Sequence, residues 1–542
     1  MSVGQVLLAA TPALPAVGAA VVALLPAAAD RGARVVGTIF AAVTFLASLL
    51  LYADRHAPSG SPVPGSAPSG PVRPWHELDL AWVPGLDLRF HLGVDGLSYP
   101  LVVLTALLTL LCCGYTLWHV PGTPREGFAA SGAGRGRTLV ALLLVVEVGI
   151  LGTFLALDLV LFFVFFEIVL LPMYAVIAGW GGTAEPAEAD PEPGRTPGPA
   201  PADARRSTPQ QAAARKFALY TLFGSVLLLV GVLTVVTAAG TADIVALTGG
   251  AGLGRGTQLT AFTLLALAFA VKSPLWPLHS WLPDAHTQAP TVGSVILAGV
   301  LLKMGTYGLI RVAVGVAPEG ARWAAPVLGV LAVAAIVVGS LVCLAQDELK
   351  RLIAYSSVGH MGFVLLGIAT LTATGIQAAL IGNIAHGVIT GLLFFLAGAV
   401  KDRTHTGALA ELGGLRETAP RLAGLLGFAA VASLGLPGLA GFWGEAFAVV
   451  AALERGGAFW TVLGVLAATG GALTAAYLLR LLRRVTHGRP APRVARLTPE
   501  LAGAELAAWS PLVLLALAIG LVPALVLGIA GEPVRSLLEA LP

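Results

Sequence analysis

Charged residues are scarce: only 11% of the 542-residue sequence, against 57% hydrophobic, where a soluble domain carries roughly 25% charge. That deficit excludes a water-exposed globular surface and implies an integral membrane protein. Cysteine is nearly absent. Cys112, Cys113 and Cys343 lie in apolar runs with no CxxC pair or Cys/His ligand spacing, so neither an iron–sulfur cluster, a zinc site nor a disulfide is expected. The formal charge of +3 points to neither nucleic acid nor a strongly acidic partner. Among basic residues lysine is the rare one, five against 27 arginines.

Two of those five stand where charge is least expected. Lys272 in "LLALAFAVKSPLWP" and Lys303 in "SVILAGVLLKMGTYGL" interrupt runs apolar enough to cross a bilayer. Arginine cannot lose its proton in a protein, whereas a lysine ammonium withdrawn from water can. Lysines at these positions therefore fit a proton relay.

About 20 apolar residues are needed to span the hydrocarbon core. That rule predicts an all-α polytopic protein of about 14 spans, near 5–26, 34–53, 97–118, 138–157, 159–179, 217–239, 258–275, 291–312, 324–345, 351–372, 377–400, 421–453, 460–480 and 508–530. The first run ends in "PAAAD", which resembles a signal-peptide cleavage site, but no positive charge precedes it and Arg31 and Arg34 follow. It is therefore read as a first span with its N-terminus outside. Alternating loops then hold 22 basic residues on one side and eight, Arg311 among them, on the other. That asymmetry places both termini outside. The stretch after the second span and the Pro/Ala-rich insertion 181–211 are too rich in proline, glycine and small polar residues to pack, and are expected to be disordered.

Two spans carry their own interruptions. Pro274, Pro277 and Pro283 follow Lys272, and Gly435, Pro437, Gly438 and Gly441 precede Glu445. Proline removes a helix donor and clashes with the preceding turn, so helices 7 and 12 should break. Interrupted spans five helices apart, each with one ionisable group, are what an internally repeated ion transporter shows. The expected organisation is a single membrane domain: 1–118 (helices 1–3), a first repeat over 138–312 (helices 4–8), a second, inverted, over 324–480 (helices 9–13), and helix 14 at 508–530.

Glu167, in "LVLFFVFFEIVLLPMYAVI", completes a set with Lys272, Lys303 and Glu445. Each charge at a helix centre costs roughly 2.5–3.5 kcal/mol on insertion scales, which pairing of Glu167 with Lys272 would lower. His360 and His386, within spans 10 and 11, are candidates to pass protons between Lys303 and Glu445, or else simple interhelical hydrogen-bonding groups. His279, Asp284 and His286 flank the first break and suit either proton uptake or capping of the half-helices; Glu147 and Asp158 suit either relay or structure. The run Phe162, Phe163, Phe165 and Phe166 reads as packing.

The segments "FFVFFEIVLLPMYAVIAGWG", "AFAVKSPLWPLHSWLPDAHTQAPTVGSVILAGVLLKMGTYGLIR", "DELKRLIAYSSVGHMGFVLLG" and "LGLPGLAGFWGE" closely resemble the antiporter-like membrane subunits of respiratory complex I, most of all the subunit M branch of the bacterial NADH-quinone oxidoreductases. The likeness runs from about Val94 to Leu482. It implies a proton-pumping subunit of 14 helices in two inverted five-helix repeats, in a bacterial plasma membrane beside other complex I subunits, especially sister antiporter-like ones. The family's fifth-helix glutamate falls on Glu167, its broken-helix lysine on Lys272, its eighth-helix lysine on Lys303 and its twelfth-helix acid on Glu445. Sister subunits usually carry lysine at the last of these. Quinone and NADH chemistry belong to other subunits, so no cofactor is expected on this chain. The related alternatives are a subunit of a multi-subunit sodium/proton antiporter or of an energy-converting hydrogenase.

Overall fold

The computed structural model describes residues 2–53, 55, 72–83, 85, 88–120, 134–181, 208–496, 501 and 503–541. Twelve helices among them are long and apolar enough to cross a membrane, from Val3–Leu24 to Gly503–Leu521. Two further helical stretches are split: Arg255–Lys272 with Trp281–Gln288, and Pro420–Ser433 with Ala440–Arg455. The breaks thus fall at the prolines and glycines that predict them. Outer helices keep apolar stripes exposed, as in Leu219, Leu222, Phe223, Val226 and Val230 of Pro209–Ala239. Helices Thr291–Val314 and Ala373–Thr404 are nearly wholly buried and form the centre.

Several boundaries differ from the sequence expectation. The region 1–118 holds, besides three helices, an antiparallel hairpin of His76–Val83 and Leu88–Val94. Its sequence, "HELDLAWV" against "LRFHLGV", is too short and too polar to register as a span. The expected span 508–530 is two helices, Gly503–Leu521 and Ala524–Glu539, parted at Pro523. The Leu159–Trp180 span has an irregular turn at Val169, ahead of Pro172, whose missing N–H leaves the helix ladder one bond short. Most of 181–211 lies outside the described residues. Its last residues are ordered: Thr208 and Gln211 form a capping box that starts Pro209–Ala239.

The connections sort onto two faces. On one, the hairpin is bridged to Ala156 through Leu92, Asp158 is bridged to Asp243, and the Gly249 amide donates to the Gly315 carbonyl at 2.8 Å. Gln5 donates to the Glu77 carbonyl at 3.1 Å, and the Ile529 carbonyl abuts Gly96, so both chain ends belong to this hairpin face. The opposite face is basic and laced with ion pairs, Lys216–Asp284 (2.7 Å), Arg351–Asp284 (3.4 Å), Arg403–Glu505 (2.6 Å) and Arg484–Asp347 (2.8 Å).

The hairpin is pinned by His91. Its ring nitrogens reach Glu77 at 2.7 Å and Asp243 at 3.6 Å. Burial alone would lower its pKa, but the hydrogen bonds and charges of Asp243 and Glu77 outweigh burial and lift it from 6.5 to about 9. A group whose folded pKa is raised contributes stability that is complete below the unfolded value and is lost as pH rises through the folded one. Hairpin amides should therefore stay protected from hydrogen exchange near pH 7 and lose protection as pH passes about 9. In a His91→Gln variant that loss should not depend on pH.

Candidate functional site

The first break ends a helix at Lys272 itself. The freed Val271 carbonyl is taken by the Trp281 indole at 3.0 Å, and Ser273 Oγ donates to the Leu302 carbonyl at 3.3 Å, which ties the break to the helix bearing Lys303. Lys272 Nζ is fully buried without a hydrogen-bond partner and sits 4.5 Å from the Phe166 ring centroid. Phe162, Phe166 and Phe269 form an edge-and-stack cluster beneath it. Phe166 is thus more than packing, since a ring face attracts a cation. The expected direct ion pair with Glu167 does not form. Glu167 accepts a hydrogen bond from Ser225 instead and acts on Lys272 only through space.

Lys303 is held differently. Its helix, Thr291–Val314, is continuous but widens into π-helical turns at 297–301 and 309–314. Such turns loosen the regular ladder and recur at functional sites. The Ala298 carbonyl accepts from Lys303 Nζ, and His386 Nδ1 lies 2.6 Å from the same nitrogen. That contact needs two helices in near backbone contact. A Cβ on Gly387 would come within 2.6 Å of the Gly299 carbonyl oxygen, so only glycine fits there.

Beyond His386 the row continues. The His386 and His360 ring centroids are 5.7 Å apart, too far for a direct hydrogen bond. Between them lies a cavity lined by His360, His386, Thr390, Ser433, Gly444 and Glu445, with about 30 Å³ open to the centres of water-sized molecules. One water needs roughly 10–15 Å³ by that measure, so the gap is wide enough for water to bridge. His360 Nδ1 is 2.8 Å from Glu445 Oε1, and its Nε2 is 3.0 Å from Ser433 Oγ. With its proton on Nδ1, His360 donates to the carboxylate and accepts from Ser433. The second break sets this geometry: Ser433 closes one half-helix, and Glu445 lies in the second turn of the other. Gly435, at φ +80°, makes the reversal, a conformation that L side chains rarely adopt.

Of the six residues singled out, the structure brings Lys303, His386, His360 and Glu445 into one row; Lys272 and Glu167 are hydrogen-bonded neither to that row nor to each other. Asp284 pairs with Lys216 and Arg351 on the basic face, and Asp158 caps its helix by accepting from the Val160 and Leu161 amides. Glu147 is fully buried, and among the described residues neither of its oxygens has a hydrogen-bond partner. Lys350 is buried and donates to the Ala289 carbonyl at 3.2 Å, close to His286, which stacks on Phe394 at 4.4 Å. Ser225 and Ser433 escaped notice because a lone serine in an apolar helix gives no signal in sequence. Among the described residues no cluster of histidine, cysteine and acidic side chains could hold a metal ion.

Residues 202–470 match a family described as NADH:quinone oxidoreductase/Mrp antiporter, TM. NADH-quinone oxidoreductase subunit M of Rhodobacter capsulatus is 38% identical over 551 residues, spanning 99% of this chain and 97% of that protein. NAD(P)H-quinone oxidoreductase chain 4 1 of Synechococcus sp. (strain JA-3-3Ab) is 41% identical over 451 residues, 82% of this chain and 78% of that one. Among solved structures, a chain of respiratory complex I from Thermus thermophilus with bound NADH has a TM-score of 0.80 at 29% identity, covering 98% of this chain and 99% of that one. A chain of the Mrp complex from Dietzia sp. DQ12-45-1b has a TM-score of 0.77 at 22% identity, covering 99% and 98%, a likeness of fold alone.

Proposed function

We propose that this chain, which belongs to the subunit M family of NADH-quinone oxidoreductases, carries protons across a bacterial membrane as one subunit of such a complex, driven by electron transfer in other subunits. Among the described residues, twelve long helices together with the two broken ones support a reading of fourteen crossings. Breaks five crossings apart support two inverted five-helix repeats, and the basic ion-paired face supports an orientation with that face inside and both termini outside. Neighbouring membrane subunits, sister antiporter-like ones in particular, are the partners of this reading.

Protons enter from the basic face beside the first break and load Lys272. There the ring face of Phe166 tolerates the ammonium, and the distant Glu167 charge sets how firmly the proton is held. The proton passes to Lys303, moves to His386 Nδ1 along the 2.6 Å contact, crosses the water-sized cavity to His360, and reaches Glu445. From Glu445 it leaves toward the hairpin face through the second break.

The observation that carries this reading is the row Lys303, His386, His360, Glu445, in which each gap is a hydrogen bond or a water's width. Glu445→Gln keeps the contact to His360 but cannot accept the proton. In the assembled complex in liposomes it should still permit NADH oxidation while lowering proton release on the order of 10²-fold, the lower end of what a positioned acid contributes. Undiminished release from a fully assembled variant would refute the role of Glu445. Pumping that depends on sodium would move the reading to the antiporter relatives.

A further inference from the structure

The face of the Thr291–Val314 helix that carries Lys303 continues toward the hairpin face with Tyr307 and Arg311, each four residues on. Four residues advance a helix by about 6 Å, so these side chains climb one above another. The Tyr307 hydroxyl donates to the Phe154 carbonyl at 3.0 Å and receives Arg311 Nε at 3.3 Å. Arg311 Nη2 is bonded to Asp95 Oδ2, and both residues are 4% exposed. The other Asp95 oxygen accepts the Leu97 and Ser98 amides at 3.0 and 3.1 Å. Arg311, assigned above to an outer loop, is therefore a buried residue of this helix.

Without the guanidinium, Tyr307 and Asp95 would be proton-exchanging groups standing between the level of Lys303 and the hairpin face. Arginine interrupts them because it keeps its proton at every accessible pH. A fixed cation on a narrow path also repels protons. A buried Arg–Asp pair is weak evidence for stability, since an apolar pair of equal volume often serves as well.

We propose that Arg311, held by Asp95 and Tyr307, is a fixed-charge barrier that closes the direct route from Lys303 to the hairpin face, so that a proton on Lys303 can leave only sideways through His386. Arg311 is a positioning residue in this role. The proposal rests on the relay reading above, because it assumes that Lys303 carries a proton.

The test is passive proton leak. The assembled complex in liposomes is given a pH step without NADH, and the decay is followed with a trapped pH dye. Arg311→Lys keeps a cation for Asp95 but supplies a group that can exchange its proton. Leak should rise about tenfold, the effect of ~1.4 kcal/mol off a barrier, and adding Tyr307→Phe should suppress it by removing the intervening hydroxyl. A purely structural pair predicts that Arg311→Lys is silent, and wild-type leak in assembled complex would overturn the barrier. So would failure of Arg311→Lys to assemble, or leak that persists in the double variant. Lys272→Ala in the same liposomes reports separately on the relay, since it should stop pumping without adding leak. Normal pumping there would sink the relay reading itself.

Discussion

Replacing Lys272 with alanine should lower NADH-driven proton pumping by the assembled complex on the order of 10²-fold, the contribution of a positioned acid–base group. Electron transfer, which resides in other subunits, should persist to the extent that it can run uncoupled. The expectation follows from placement. Lys272 ends the half-helix at the first break, is fully buried, and has no hydrogen-bond partner to share or replace its proton. Its surroundings are Phe166 and the aromatic cluster beneath, which alanine leaves standing. Loss of pumping is thus expected without loss of assembly, as read by subunit content after purification.

The second large effect concerns His386. It joins Lys303, through the 2.6 Å contact, to the cavity shared with His360. His386→Leu should strip Lys303 of the one side-chain partner it has among the described residues, leaving the Ala298 carbonyl. Leaving a buried donor without its hydrogen-bond partner costs roughly 1–3 kcal/mol, more for a charged group, enough to threaten assembly. His386→Gln separates the two roles: it keeps a hydrogen-bonding group in the contact but cannot exchange protons. The glutamine variant should assemble and yet pump on the order of 10²-fold more slowly. Normal pumping with glutamine would reduce His386 to a structural ligand.

Both breaks are legible in the sequence because proline and glycine act locally, and the fold bends at those positions. The buried ionisable residues are legible because a charge in an apolar run stands out. Their partners are legible only in part: the histidines beside Lys303 and Glu445 stand out in apolar spans, but the neighbours of Glu167 and Lys272 do not. Glu167 and Lys272 attract each other on paper, yet Ser225 and Phe166, which take the places beside them, come from positions with no charge to announce them. The π-helical turns that free Ala298 for Lys303 leave no mark in an otherwise regular apolar pattern. The hairpin escaped because its strands are shorter than any span, and only contacts to residues 156–158 and 243 reveal it as a clasp. Arg311 shows the limit of counting loop charge, since a residue at a span's end can face inward to a partner more than two hundred positions away.

In the proposed relay, protons cross by being bound and released at Lys272. The most direct test is the ratio of protons pumped to electrons transferred by the assembled complex carrying Lys272→Arg, since arginine preserves the buried cation over Phe166 but cannot release a proton. The account predicts that this ratio falls well below that of the wild-type complex. An unchanged ratio in a fully assembled Lys272→Arg complex would contradict it.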